Sequence, residues 1–334
     1  MEQNLKLITM CDVETEQVDF LWRPYIAYGK ITIVQGDPGD GKTTMMLAIA
    51  ASITRGDEIG GNSTDPADVI FQTAEDGLAD TIKPRLEQLG ANCSRIHVID
   101  EEEKSLSLVD QRIETAITRT GARLFILDPL QAYLGGADMH SANGVRPLMK
   151  RLATVAEDTG AAIVLIGHLN KKGGSKSTYR GLGSIDIPAA ARSVLTVGRL
   201  DVDENMRAFI QTKSNLAPAG KPQAFGLDPV GGFCWLGDCD VTIEELLDGK
   251  KEDKGITQLD LAKTFIMGLL AQDEVPASEI FRKGAEIGLS QITLKRAKSE
   301  LGVVSVKRGS EWFWTKEADQ GDHSSTHDTH DPLP

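Results

Sequence analysis

The sequence predicts an α/β protein with a mainly parallel sheet covered by helices on both faces, followed by a smaller unit of three helices and a hairpin. Three observations lead to this prediction. A glycine-rich loop joins a β-like run to a helix-like run near residue 36, and short apolar runs then alternate with helical segments as far as residue 197. A charged stretch without apolar residues, 248–255, separates the two parts. Near-continuous apolar strands divided by crossovers are typical of a parallel sheet that is buried on both faces.

Composition and charge limit the class of protein. The chain has 334 residues and 40% of them are hydrophobic, enough for one large domain or two ordinary ones. Because the formal net charge is −13, any contact with nucleic acid must come from local basic patches. No apolar run approaches the roughly 20 residues of a membrane helix, and the N-terminus lacks the pattern of a secretory signal. We therefore expect a cytoplasmic protein whose four cysteines, which lack paired metal-ligand spacing, are reduced structural thiols.

The stretch QGDPGDGKTT contains the most specific motif. Its spacing, Gly36-x-x-x-x-Gly41-Lys42-Thr43, is the P-loop pattern, in which backbone N–H groups surround phosphate oxygens, the lysine reaches the β- and γ-phosphates and the hydroxyl binds Mg²⁺. The loop opens a helix, so the helix dipole also favours an anion there. ATP and Mg²⁺ are the expected cofactors. The predicted nucleotide-binding residues are Gly36, Asp37, Pro38, Gly39, Asp40, Gly41, Lys42, Thr43 and Thr44.

Further β-like runs support the predicted sheet. The runs separated by helical segments, and therefore expected to be parallel, are residues 31–35, 69–73, 95–100, 123–128 and 162–167. The later β-rich runs, at 193–198, 206–212 and 224–237, have no helices between them. We expect these later runs to form antiparallel strands that extend one edge of the sheet.

Acidic residues follow two of the predicted strands. Asp128 ends the apolar run 124–127, and in open α/β sheets nucleotides bind at the carboxyl ends of the strands. We predict that Asp128 acts on Mg²⁺ through water, together with Thr43. Glu75 and Asp76 follow the strand after the P-loop helix, where a carboxylate can polarise the attacking water. Glu75 has the longer reach and is the predicted base, Asp76 is the alternative, and an acid that only pairs with a helix N-terminus is a further interpretation.

A histidine and a basic loop follow the last parallel run before residue 170. His168 closes that run and is either a reporter of nucleotide state or an ordinary solvent-facing histidine. The loop after it combines glycines, four cations and one aromatic residue, which suits a single-stranded nucleic acid but also fits a merely solvated loop. Its candidate DNA-binding residues are Lys171, Lys172, Lys176, Tyr179 and Arg180.

The C-terminal part has the order of a winged helix. Apolar residues recur at helical spacing from Leu259, a second helix is expected over 277–286, Ser290 is placed to cap a third, and 303–316 has the pattern of a hairpin. The expected organisation is an ATPase core at 1–247, a linker at 248–256, a winged-helix DNA-binding domain at 257–316 and a disordered acidic tail at 317–334. The three histidines of the tail could hold a metal, but a solvated tail is the favoured interpretation.

The predicted third helix and hairpin of this part are basic. Between residues 290 and 316 there are six cations and only two acids, Glu300 and Glu311. Such a patch suits DNA, although winged helices also bind proteins. The candidate DNA-binding residues of the helix are Lys295, Arg296 and Lys298, and the remaining cations are Lys307, Arg308 and Lys316.

Six segments taken together resemble the RecA-like core of hexameric RepA-type replicative helicases and of related ATPases from phages and mobile elements. In chain order they are GDPGDGKT, AED, FILD, GHLNKK, RGLGSIDIPAAARS and QTKSN, and they end at residue 215. By this resemblance, Glu75 corresponds to the catalytic glutamate and His168 to the sensor histidine. Arg192 and Lys213 correspond to an arginine finger and a second cation that act on a neighbouring subunit, and Arg180 to a residue near the central channel.

The resemblance implies a ring, expected to be a hexamer, that hydrolyses ATP at subunit interfaces and acts on single-stranded DNA during replication, with replication-initiation proteins as possible partners. An arginine suits the role of a finger because its fork of donors is permanently charged, although a surface salt bridge is the alternative for Arg192. A DNA-binding regulatory ATPase that moves no strand and a recombination-mediator ATPase stay open, since all of these functions need the same nucleotide site.

Overall fold

The computed structural model describes residues 7–59, 65–138, 141–169, 186–200, 203, 205–228, 232–248, 258–270 and 274–316. The chain forms two compact units that divide between Asp253 and Lys254, inside the stretch 248–256 that the sequence suggests as a linker. No helix in the described part of the chain is long and apolar enough to cross a membrane.

A nine-stranded sheet, counted over the described residues, organises the first unit. A short antiparallel pair, β1 (Phe20–Trp22) and β2 (Ile26–Ala27), precedes it. The sheet strands are β3 (Ile31–Gly36), β4 (Val69–Thr73), β5 (Ile96–His97), β6 (Leu124–Asp128), β7 (Ala162–His168), β8 (Ser193–Arg199), β9 (Met206–Ser214), β10 (Gln223–Asp228) and β11 (Gly232–Asp238).

The order of the strands across the sheet is β11-β10-β9-β8-β3-β7-β6-β4-β5. The pairs from β8 to β5 are parallel, and β9, β10 and β11 are joined to β8 by antiparallel pairs. The predictions of a mainly parallel sheet and of an antiparallel extension are both confirmed. The parallel arrangement brings the carboxyl ends of β3, β4, β6 and β7 to one edge of the sheet.

Helices pack on both faces of this sheet, as predicted. Val34 of β3 lies in one apolar core and its neighbours Ile31 and Ile33 lie in the other, because successive side chains of a strand point to opposite faces. The helices of the first unit are α1 (Lys42–Arg55), α2 (Lys83–Gln88), α3 (Gln111–Thr120), α4 (Ala142–Thr159), α5 (Asp186–Ala190) and α6 (Ile243–Asp248). Helix α1 packs into the first core, and helices α3 and α4 pack into the second.

One predicted strand is shorter than expected. The run 95–100 forms only β5, two residues long. The reason is that the side-chain amide of Gln72 takes both backbone groups of Ile99, accepting from its N–H at 3.0 Å and donating to its carbonyl at 3.1 Å. The chain therefore leaves the strand ladder just after His97.

The second unit contains helices and a small sheet. Its elements are α7 (Gln258–Leu269), β12 (Val275–Pro276), α8 (Ala277–Glu286), α9 (Gln291–Glu300), β13 (Val303–Arg308) and β14 (Glu311–Lys316). The described order matches the predicted three helices and hairpin, with β12 added beside β14. The Ser290 hydroxyl accepts from the Thr293 N–H at 3.1 Å, so this serine caps α9 as expected. The tail 317–334 lies outside the described residues.

Candidate nucleotide-binding site

The P-loop joins β3 to α1 at the carboxyl edge of the sheet. Gly39 and Gly41 have φ angles of +81° and +83°, a region in which a residue with a Cβ is strained. A Cβ on Gly36 would lie only 2.4 Å from the Val197 carbonyl oxygen of β8. The glycines are therefore required by the backbone path and by the close approach of the neighbouring strand, and Gly41 places the first turn of α1 directly after the loop.

Lys42 is held against its own loop. Its side chain is buried, and its ammonium donates to the carbonyl oxygens of Gly36 at 3.0 Å and Asp37 at 2.7 Å. Burial lowers the pKa of Lys42, while the nearby carboxylates of Asp40 and Asp128 oppose that shift. Because a buried cation gains most from a charged partner, phosphate oxygens would be stronger acceptors for this ammonium than the two carbonyls.

Thr43 and Asp128 meet at the same edge. The Thr43 hydroxyl donates to the Asp128 carboxylate at 2.6 Å, and Asp128, at the end of β6, is 4% exposed. Burial raises the pKa of Asp128, and the hydrogen bond from Thr43 opposes this. A hydroxyl and a carboxylate suit Mg²⁺, which binds one or two protein oxygens together with substrate phosphates. These two residues therefore fit the predicted cofactor, which would supply positive charge beside the phosphates when bound.

Glu75 and Asp76 differ in their surroundings. The Glu75 carboxylate is more than half exposed and lies 3.4 Å from Nε2 of His168, at the end of β7. The Asp76 carboxylate forms an ion pair with Arg85 at 3.2 Å. Asp76 is thus paired with an arginine, whereas Glu75 faces an imidazole, and the choice of Glu75 as the base stays a prediction. The His168 side chain is 30% exposed, and its Nδ1 is buried without a hydrogen-bond partner among the described residues.

Two residues at this site were missed by sequence reasoning. Gln131 follows β6 in a short 3₁₀ turn, and its amide donates to the His168 carbonyl oxygen at 3.3 Å. Arg199, at the end of β8, donates to the Gly39 carbonyl oxygen at 3.2 Å and lies 3.6 Å from the Asp40 carboxylate. The same Asp40 carboxylate accepts from the Asp37 N–H at 2.8 Å, so the arginine supports the fold of the P-loop.

The sequence contains only weak signals that would assign Gln131 and Arg199 to this site. Gln131 stands three positions after the predicted metal-binding acid, but a glutamine in that position has no motif of its own. Arg199 ends a strand that is far from the P-loop in sequence, and only the pairing of β8 with β3 brings the two together.

Arg192 and Lys213 lie at the opposite edge of the sheet. The Arg192 N–H donates to the carbonyl oxygen of Ile31, the first residue of β3, whereas the P-loop begins at the other end of that strand. The Lys213 ammonium donates to two carbonyl oxygens near the end of α5, at 2.8 and 3.0 Å. Burial lowers the pKa of Lys213, and the charge of Arg192 adds to that shift. The structure thus groups these two cations and separates them from the nucleotide-binding groups of the same chain.

The candidate DNA-binding residues fall into two sets. Lys171, Lys172, Lys176, Tyr179 and Arg180 lie outside the described residues. On α9, the Arg296 guanidinium is 3.6 Å from Glu300 and its side chain is only 18% exposed. The Lys298 ammonium donates to Ser305 at 2.8 Å and lies over the ring of Trp314, whereas Lys295 is half-buried.

Comparisons with curated proteins find relatives for part of the chain. It is 28% identical over 152 residues to the DNA repair protein RadA of Bacillus subtilis, an alignment that covers 44% of this chain and 30% of RadA. It is 24% identical over 188 residues to the DNA repair protein RadA of Helicobacter pylori, covering 52% and 38% of the two chains. The chain thus spans about a third of the length of these curated relatives.

Among solved structures, a KaiC-like protein from Pyrococcus horikoshii OT3 is 18% identical, with a TM-score of 0.45, and the alignment covers 66% of this chain and 97% of that one.

A family model described as an AAA domain matches residues 5–174. This region contains the P-loop, Glu75, Asp128 and His168. Because the match extends over slightly more than half of the residues, the chain belongs to the AAA domain family and has a P-loop ATPase core.

Proposed function

We propose that this chain is one subunit of an ATP-hydrolysing, RecA-like ring that acts on single-stranded DNA, and that the ring is a hexameric replicative helicase of the RepA type from a phage, plasmid or prophage. The observation that carries the proposal is the division of the catalytic groups between two edges of one sheet. The groups that suit ATP lie at the carboxyl edge, and the two candidate trans-acting cations lie at the amino edge.

The carboxyl edge has the groups needed to bind and hydrolyse ATP. Lys42 and the N–H groups of the loop would hold the phosphates, and Thr43 with Asp128 would hold Mg²⁺. The Glu75 carboxylate would accept a proton from the attacking water. His168, 3.4 Å from that carboxylate, would sense whether the γ-phosphate is present and link it to the segment that follows in the chain.

The amino edge cannot serve the nucleotide of its own subunit. The six residues of β3 separate Ile31, beside Arg192, from the P-loop. At about 3.3 Å per residue this places the Arg192 backbone on the order of 16 Å from the start of the loop, along a strand that stands between them. Arg192 and Lys213 could therefore reach a nucleotide only in a second copy of the chain. A head-to-tail contact of this kind builds a ring when its rotation closes.

Two features support DNA as the ligand. The segment 171–180, with four cations and Tyr179, follows His168 directly in the sequence, and six copies of it in a ring would surround a central strand. The second unit has the element order of a winged helix, in which a helix and a hairpin meet DNA. The replicative role would also require partners that load the ring, and replication-initiation proteins are the expected class.

The deciding experiment measures ATP turnover and strand displacement with the same preparation. We expect single-stranded DNA to stimulate ATP hydrolysis and a labelled strand to be displaced from a forked duplex only when ATP and Mg²⁺ are present. The mass of the assembly, measured with ATP bound, should correspond to a ring. A stable monomer that hydrolyses ATP at full rate would overturn the ring, and stimulation by DNA without displacement would overturn the helicase.

A second candidate is a DNA repair ATPase, or a regulatory ATPase, that binds DNA without separating strands. The similarity to the DNA repair protein RadA over 152 residues favours a role in DNA repair. In that case ATP would change DNA binding or assembly, and the displacement assay would stay negative while DNA-stimulated hydrolysis was retained.

A further inference from the structure

Ion pairs occupy five of the nine cations that the structure describes in the second unit. Over its described residues, the lysines that have no carboxylate partner lie on α9 and on the hairpin of β13 and β14. The paired cations are Lys263, Arg282, Lys283, Arg296 and Arg308, and the lysines without a carboxylate partner are Lys295, Lys298, Lys307 and Lys316. Lys307 and Lys316 of the hairpin are exposed, whereas Lys295 and Lys298 of α9 are half-buried, so the hairpin presents more of this positive charge to solvent, beside the exposed Glu311.

The register of the hairpin places Trp312 beside Lys307. Lys307 pairs with Trp312 and Ser305 pairs with Trp314, so these four side chains share one face of the small sheet. The hydrogen bond from Lys298 to Ser305 shows that α9 packs against that face. Lys316, two residues after Trp314, lies on the same face, which therefore forms a strip of Lys307, Lys316, Trp312 and Trp314, with Lys298 of α9 beside it.

The two indole rings have opposite environments. Trp314 is 3% exposed, packs edge-on against Phe281 and lies under Lys298. Trp312 is 53% exposed, and its described ring contact is with the Lys307 ammonium, 5.9 Å from the ring centre. Trp235, another exposed tryptophan, differs because it packs against three aromatic rings of its own unit. Trp312 thus presents indole surface to solvent beside Lys307, which has no carboxylate partner among the described residues.

We propose that Trp312 stacks on an unpaired base of single-stranded DNA, while Lys307 and the neighbouring lysines of the strip bind its phosphates. The proposal rests on the proposed DNA-binding function and specifies the form of DNA that the second unit takes. Single-strand sites combine a cationic track with an aromatic platform, which every base can use. Bases inside a duplex are stacked on one another, so an isolated indole on a hairpin reaches a base face where strands are separate or, at most, at the end of a duplex.

The test uses the full-length chain and a fluorescein-labelled oligothymidylate, with a hairpin duplex of the same label as the comparison. Trp312→Ala should weaken binding of the single strand by about 5- to 100-fold, the usual effect of removing one stacking platform. Trp312→Phe should retain binding within about threefold, since the phenyl ring keeps a stacking face. Ile287→Ala is the matched control, because Ile287 is also a large apolar side chain of this unit and is 59% exposed.

Lys307→Ala separates charge from stacking. It should reduce the slope of log Kd against log salt concentration by about 0.7, the value for one phosphate contact on a single strand. Trp312→Ala should leave that slope nearly unchanged. Neither change should alter ATP turnover in the absence of DNA, because both residues lie in the second unit and outside the nucleotide site.

The outcomes distinguish this proposal from the function on which it rests. If the unmodified chain binds no single-stranded DNA with or without ATP, both are overturned. If it binds the single strand and Trp312→Ala binds equally well, or loses affinity for duplex as much as for single strand, the stacking role alone is overturned. A Trp312→Ala variant that binds DNA normally but no longer captures a protein partner would also overturn the stacking role.

Discussion

The two edges of the central sheet differ in how completely their charged groups are satisfied. At the carboxyl edge, Lys42 and Asp128 are 4% exposed, and each has a hydrogen-bond partner at the P-loop. At the amino edge, Arg192 is exposed and Lys213 donates only to backbone carbonyls, with no carboxylate partner among the described residues. One edge holds its charges in a buried, hydrogen-bonded cluster, and the other presents positive charge without a carboxylate acceptor among the described residues.

In the proposed ring, this difference would decide which parts of catalysis a single subunit supplies. Burial of the carboxyl edge is what makes its charges effective, since electrostatic interactions are stronger where water is excluded. The same burial ties its residues to one geometry. At the amino edge Arg192 is exposed to solvent, so in the proposed ring it would act only once a second subunit covers it. We therefore expect changes at the carboxyl edge to damage each subunit by itself and changes at the amino edge to damage only the assembly.

The largest effect is expected for Lys42→Ala. Removal of the ammonium takes away both a phosphate ligand and a charge that stabilises the transition state, so ATP turnover should fall by at least about 10³-fold. Turnover and nucleotide binding would be measured by phosphate release and by a fluorescent ATP analogue. Lys30→Ala is the control, because Lys30 is a lysine of the same region whose pair with Glu157 is on the surface. Near-normal hydrolysis by folded Lys42→Ala protein would refute the assignment of the P-loop.

Arg192→Ala should have the next largest effect, and of a different kind. Its own P-loop is intact, so nucleotide should bind nearly normally, while hydrolysis should fall by about 10³-fold, the lower end for an arginine finger. Arg119→Ala, which removes an exposed arginine of α3, is the matched control and should change little.

Mixing the two defective proteins sharpens the comparison between the edges. A ring that contains both Lys42→Ala and Arg192→Ala subunits has interfaces where an intact P-loop meets an intact finger, and some turnover should return. Exchange of subunits would first be verified by co-purification of differently tagged chains. If exchange occurs and the mixture stays inactive, Arg192 does not act across an interface in this way. If Arg192→Ala alone hydrolyses ATP normally, Lys213 becomes the next candidate.

A smaller effect is expected for Glu75→Gln. The amide keeps the shape of the side chain and loses its basicity, so turnover should fall by about 10²-fold while ATP still binds. Asp76→Asn should cost less, because Asp76 already has Arg85 as its partner. Single-turnover hydrolysis would compare the two variants. A larger loss for Asp76→Asn would mean that Asp76 is the base.

The carboxyl edge was predicted from the sequence because its residues stand at fixed places in local patterns. Lys42 and Thr43 belong to one loop, and Asp128 ends an apolar run whose length alone marks it as a strand. The parallel topology then explains why these residues meet, since the carboxyl ends of parallel strands lie together. The roles of Lys42, Thr43 and Asp128 in catalysis stay predictions, but the structure does place their side chains within one cluster.

What the sequence did not predict depends on contacts between distant segments. Arg199 supports the P-loop only because β8 lies beside β3. The order of strands in a sheet cannot be predicted from the spacing of residues along the chain. The shortened strand β5 has a similar cause. The side chain of Gln72, a residue of β4, takes the backbone hydrogen bonds of Ile99 that would otherwise have continued β5. Likewise, Arg296 has the right charge for DNA in the sequence but is paired with Glu300 in the fold.

The smallest effect is expected for a change at Arg199, which tests how rigid the carboxyl edge must be to bind ATP. Its guanidinium donates to the Gly39 carbonyl oxygen and lies beside the Asp40 carboxylate, which in turn accepts from the Asp37 N–H. The Arg199 side chain is 57% exposed, so water weakens the ion pair. We therefore expect Arg199→Ala to weaken ATP binding by about two- to fivefold, the usual size for a partly exposed pair.

A double-mutant cycle with Asp40→Asn identifies the route of this effect. If Arg199 acts by holding Asp40, the two changes should be non-additive, and the double variant should bind ATP about as well as the weaker of the two single variants. Additive losses would mean that the hydrogen bond to Gly39 carries the effect. A loss as large as that of Lys42→Ala would show that Arg199 touches the nucleotide itself, which would give the carboxyl edge a second cation acting within its own subunit.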